Sequence, residues 1–204
     1  ISIAIETVSI DITFSIYCAL NLGLTWDEDF LIYTQGKRTA DYLFSLGKID
    51  NYILYRENFS PLYGSLKFLI IQIFPSKYQF EINHLINLFF SISTIIGLGK
   101  LCKELFNKKL SKIVFLILFF YPVFFGHMAF NNKDMILAFC HVWIFYIVIR
   151  YFKKQNIKEK INNYTFLLGL LVALATGVQL AFLGSLIPIF FFVIFEVFFL
   201  KKII

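Results

Sequence analysis

Long apolar runs alternate with short polar segments along almost the whole chain. The first run ends near Leu24. Others cover roughly residues 82–98, 113–125 and 135–152, and a last apolar stretch extends from Tyr164 to Leu200. A bilayer is crossed by about 20 mainly apolar residues in a helix, and the last stretch is too long for one span at about 1.5 Å per residue. It divides near 179–185, where Gly177, Gln179, Gly184 and Pro188 cluster as helix breakers. The pattern predicts an all-α, polytopic membrane helical bundle of about six transmembrane helices, in a single domain over residues 1–204.

A long mixed segment, 25–81, separates the first two runs. Residues 28–47 have helix-compatible composition, with Phe30, Tyr33, Tyr42, Leu43, Phe44 and Leu46 as apolar anchors. The stretch from Pro61 to Phe74 opens with a proline suited to a first helical turn and stops at Pro75. At about 14 residues it is short for a span, and it reads as an interfacial or re-entrant helix.

Charge then orients the bundle. Lys100, Lys103, Lys108, Lys109 and Lys112 fill one loop, and Arg150, Lys153, Lys154, Lys158 and Lys160 another; Lys201 and Lys202 follow the last run. These segments alternate as six spans require and read as cytoplasmic by the positive-inside rule. Segments 25–81, 126–134 and 179–185 are then external. The expected location is a bacterial inner membrane, with those segments facing the periplasm.

Composition agrees. The chain is 59% hydrophobic, 20% aromatic and 16% charged, against about 25% charged in soluble domains. The net charge of +6 sits in inter-helix loops, a distribution that argues against a nucleic-acid partner. Cys18, Cys102 and Cys140 form no CxxC pair, and read as small buried hydrophobes more than as a disulfide or zinc framework. A start at Ile1 and an end at Lys201-Lys202-Ile203-Ile204 read as cuts, and the first helix as an uncleaved anchor. Glu6 and Asp11 are awkward in that helix.

Two acidic clusters fall on the external side. Asp27 and Glu28 lie just past the first span. Asp27 could take a proton from an acceptor hydroxyl, since partial burial raises a carboxylate toward the working pH; acids in a first helical turn, favoured by the dipole, are the plain alternative. Lys133 and Asp134 open the fourth span, after a segment broken by Tyr121-Pro122, Gly126 and His127. A lysine and free helix N–H groups there could bind a phosphate, or Lys133 snorkels and Asp134 answers the dipole. His127 could bind metal or lipid phosphate, and a lone interfacial histidine is more often structural. His84 and Asn87 share a face of the second span, near its outer end, and can point to one cavity. His141 reads as a core residue. Gln179 suits a cavity wall or a turn, and Glu196 pairs with Lys201 or snorkels.

The order of Asp27-Glu28, Ser60-Pro61 before Tyr63-Gly64, His84-Leu85-Ile86-Asn87, and Pro122, His127, Asn131-Asn132-Lys133-Asp134 resembles the C-type, polyprenyl-phosphate-sugar-dependent glycosyltransferases. The nearest branch is glycosyltransferase family 39, the protein O-mannosyltransferases and the lipid A aminoarabinose transferase type. The chain would be the N-terminal half of such an enzyme. It departs from the family's pattern at Asn132 and Ile136, where relatives often have proline, at Asn83, where they often have arginine, and at Gln179, where they often have a base.

The resemblance implies Asp27 as general base, Glu28 as its orienting partner or a substrate contact, Asp134 as a second active-site carboxylate and Lys133 as a contact to the donor phosphate. His127, His84, Asn87 and Gln179 would bind substrate. The implied reaction is an inverting displacement at the sugar's anomeric carbon, with an acceptor lipid, glycan or protein. Some relatives hold a divalent metal near these acids; no His/Asp spacing here demands one, and cofactor and metal stay open. Two other classes compete. A transporter or flippase of a lipid-linked or anionic substrate also places polar groups in broken helices, and in an assembly subunit the acids would be caps only.

Overall fold

The computed structural model describes residues 2–48, 62–153, 158–196 and 198; Ser60-Pro61, Lys154 and the terminal lysines, like the side chains of Glu6 and Asp11, lie outside what is described. Every regular element among the described residues is helical. Helix α1 (Ser2–Asn21) is followed by a helical run made of α2 (Trp26–Glu28), a π-wound segment Asp29–Gly36 and α3 (Lys37–Phe44). Then come α4 (Leu62–Ile71), α5 (Gln79–Leu105), α6 (Lys108–Phe120), α7 (Pro122–His127), α8 (Asp134–Lys153), α9 (Lys158–Val178), α10 (Phe182–Ser185) and α11 (Ile187–Phe195).

Local chemistry accounts for the boundaries. The stretch expected over 82–98 extends to 27 residues as α5, because the polar Lys100–Glu104 segment continues the helix instead of forming a loop. The turn to α6 comes at Asn107, whose side chain caps that helix by accepting from Leu110 N at 2.9 Å. The run expected over 113–125 breaks at Tyr121, held extended ahead of Pro122, and resumes as α7 with the proline in its first turn. α4 is shorter than the expected Pro61–Phe74 helix and ends ahead of Pro75. The last apolar stretch divides between Val178 and Phe182, and Pro188 lies in the first turn of α11.

Two helical stretches, Ser76–Leu105 and Asp134–Lys153, are long and apolar enough to cross a membrane. α5 and α8 run side by side in the same direction. Trp143 Nε1 donates to Ser93 O at 3.2 Å midway, and Arg150 reaches Glu104 at 2.7 Å near their C-termini. α5 separates two apolar clusters. One joins α8 and α9 with Tyr63 of α4 through Ile136, Ile144, Leu171 and Ala175. The other joins α1, α6 and α7 through Ala19, Leu88, Ile95 and Phe119.

Polarity is inverted along two of these helices. α5 buries Asn83, His84, Asn87, Ser91 and Thr94 while exposing Phe80, Phe89 and Ile96; α4 buries Ser65 and Lys67 while exposing Leu66, Leu69 and Ile70. In water this pattern would forfeit both the hydrophobic effect and the hydration of polar groups. It is the arrangement expected where the surroundings are hydrocarbon and the polar groups face the interior of a bundle.

Candidate active site

The polar interior gathers at one end of the bundle, where α1 finishes and α5 and α8 begin. The first group centres on Glu28. Thr25-Trp26-Asp27-Glu28 forms a variant of the capping box: Thr25 N and Thr25 Oγ1 both donate to Glu28 Oε2 at 3.0 Å. Asn83 Nδ2 donates to Oε1 at 2.7 Å, and His84 Nε2 lies 3.1 Å from Oε2. The other ring nitrogen, Nδ1, lies 3.0 Å from Ala19 O. A carbonyl only accepts, so Nδ1 donates to Ala19 O. Glu28, Asn83 and His84 are fully buried. The histidine thus ties the end of α1 and the start of α2 to α5.

A second group lies one turn along α5. Asn87 Oδ1 accepts from Tyr63 Oη and from Lys67 Nζ, both at 2.9 Å. Its Nδ2 donates to Ala129 O at 2.9 Å and to Asn132 Oδ1 at 2.7 Å. Lys67 Nζ donates to Asn132 Oδ1 as well, and Ser91 Oγ donates to Met128 O at 2.9 Å. The loop between α7 and α8 is thereby stitched to α4 and α5.

The third group is the rim. Asp27 and Asp134 are exposed, Lys133 is half-buried. Asn131 Oδ1 accepts from Asp134 N and Asn131 Nδ2 donates to Asp134 Oδ2, both at 3.0 Å, a reciprocal cap at the start of α8. His127 Nδ1 lies 3.5 Å from Asn131 Nδ2, and its ring packs against Phe130. Tyr33, in the π-wound segment, packs edge-on against Phe80. Burial, aided by Glu28, Asp29 and Glu81, holds its phenol above the usual range, so it keeps its proton. π-helical turns are rare and recur at functional sites.

The sequence-predicted residues therefore fall into different settings. His84 and Asn87 enter two separate buried networks on α5, with their polar atoms engaged by protein partners. Asp27, Lys133, Asp134 and His127 stand at the rim. Gln179 lines a pocket of about 350 Å³ with His141, Phe182 and Ser185, to which none of these other site residues contributes. Sequence reasoning passed over Lys67 and the box-forming Thr25, and read Asn132 only as a departure from the family's pattern. A single lysine inside the apolar Leu62–Ile71 segment and a Thr-x-x-Glu spacing were the available signals. Among the described residues, no three His, Cys, Asp or Glu side chains stand close enough to hold a metal ion.

Comparison with known families bears directly on this arrangement. The family model for dolichyl-phosphate-mannose-protein mannosyltransferase matches residues 60–204. The chain belongs to this mannosyltransferase family. Neither the curated proteins nor the solved structures give a match. Membership makes the chain a membrane glycosyltransferase, and the inside-out polarity of α4 and α5 agrees. The mannosyltransferase match includes Lys67, His84, Asn87, Lys133 and Asp134, whereas Asp27 and Glu28 precede it.

Proposed function

We propose that this chain transfers a glycosyl group from a polyprenyl-phosphate-linked sugar to an acceptor hydroxyl on the external face of the membrane, with inversion, and that Asp27 is the general base. The family description names a dolichyl-phosphate sugar donor and a protein acceptor; here the donor class is carried over, and the acceptor is a lipid, glycan or protein. The observation that carries the reading is the division of labour within one acidic pair. Glu28 is fully buried, with both oxygens occupied by Thr25, Asn83 and His84, while its neighbour Asp27 is exposed. A saturated anchor beside an open carboxylate gives a base with a fixed backbone position.

In the proposed step, Asp27 accepts the proton of the acceptor hydroxyl. The acceptor oxygen attacks the anomeric carbon, the bond from that carbon to the phosphate oxygen breaks, and polyprenyl phosphate leaves with the electron pair. The leaving phosphate needs no general acid. Lys133 faces the donor phosphate, Asp134 is the second carboxylate at the rim, and His127 flanks them. His84 and Asn87 act on substrate indirectly, by holding the site's backbone. Gln179 offers a polar wall for sugar hydroxyls in its own pocket. Six spans, with the lysine-rich ends in the cytoplasm, complete the topology.

The test uses sealed membrane vesicles containing the full-length protein and a polyprenyl-phosphate donor carrying radiolabelled sugar. Label should pass into a covalent product that no longer contains the prenyl chain. Label that changes leaflet without entering any new product would contradict the proposal and identify a transporter.

A further inference from the structure

Lys67 is 1% exposed. Among the described residues no carboxylate lies within ion-pair distance of it; its hydrogen bonds go to the amide oxygens of Asn87 and Asn132, and its ammonium lies 5.2 Å from the centre of the Tyr63 ring. Burying a cation against neutral acceptors is costly, and an apolar side chain of similar volume is often as good or better for stability. Stability therefore does not account for a lysine at this position. What the lysine does provide is reach. It extends from α4 to an oxygen of Asn132, the residue immediately before Lys133 and Asp134. Asn87 and Ser91 hold the same loop from α5 through Ala129 O and Met128 O. Lys67 thereby ties α4 directly to this loop.

We propose that Lys67 is a positioning residue for the transfer reaction: through Asn87 and Asn132 it pins the 128–134 loop and so fixes Lys133 and Asp134 in the site. This inference rests on the transferase reading above. The hydrogen bond to Asn132 acts on the donor side, where Lys133 meets phosphate.

The variant to examine is Lys67→Met in the full-length protein. It should fold, because Asn87 Oδ1 keeps the Tyr63 hydroxyl and Asn132 Oδ1 keeps Asn87 Nδ2. Amide exchange over 128–134 should quicken about tenfold, with the buried Ile144–Val148 stretch of α8 unchanged. Donor KM should rise about tenfold while acceptor KM holds. Asn132→Ala should give the same shift, and the double variant no more than either alone. Unchanged loop exchange, an unchanged donor KM despite faster exchange, or additive effects in the double variant would each overturn the proposal. The exchange readout needs no turnover. A wild type that makes no product defeats the transferase reading, whereas unaltered exchange in an otherwise active system defeats only the role of Lys67.

Discussion

Glu28 shows how much a single buried carboxylate can organise. Its four polar contacts come from the linker after α1 and from α5, so it couples the backbone around Asp27 to the longest helix of the bundle. Glu28→Gln keeps the volume but turns one acceptor into an N–H₂ group that must face a donor. The variant should lose about 2 kcal/mol of stability, read as a lowered Tm in detergent, and its transfer rate should fall because Asp27 is no longer fixed. A Tm equal to that of the wild type would show that the knot around Glu28 does not form. The pairing itself was half legible. The acids were visible as chemistry or as helix caps; the structure closes the cap with Glu28 and leaves Asp27 exposed. A Thr three residues before a Glu is a cap signal, but nothing in the sequence says that Asn83 and His84, more than fifty residues on, supply the remaining contacts.

At the scale of elements, α5 and α8 approach closely because Gly97 leaves room. A Cβ placed there would stand 3.0 Å from both Trp143 Nε1 and Val142 Cγ1. Gly97→Leu should push the helices apart, weaken the Trp143–Ser93 hydrogen bond and destabilise the protein by about 1–3 kcal/mol. Thermal unfolding measures this, and no change would mean the crossing is looser than described. Helix existence was readable from the apolar runs and the prolines, since both act locally. Helix ends were less so. Lys100–Glu104 reads as loop by composition, yet it continues α5, because Glu104 there pairs with Arg150 and Lys153 of α8, a tertiary gain that local preference does not contain. The inward face of α4 was missed for a similar reason. Leu66, Leu69 and Ile70 point outward while Ser65 and Lys67 are buried, so for them the usual inference from hydrophobicity to burial is reversed in hydrocarbon.

Across the whole molecule the two ends differ in chemistry. One carries the Glu28–His84 and Lys67–Asn87–Asn132 networks with the rim acids, and the other carries Glu104, Arg150, Lys153 and the start of α6 at Lys108. The alternation of acidic and lysine-rich segments foretold this division, because parallel α5 and α8 bring residues 83–87 and 131–134 to the same end. The position of Gln179 was less legible, since it depends on which side of α8 the end of α9 meets. Membership of the mannosyltransferase family supplies the class of reaction, and the proposed base supplies the claim most exposed to test. The decisive measurement is the initial rate of sugar transfer by the full-length protein, wild type beside Asp27→Asn. The exposed position of Asp27 leaves stability within about 0.5 kcal/mol of wild type, and loss of the base should slow transfer by about 100-fold or more. A rate within about threefold of wild type, well short of what a general base contributes, would contradict Asp27 as the general base.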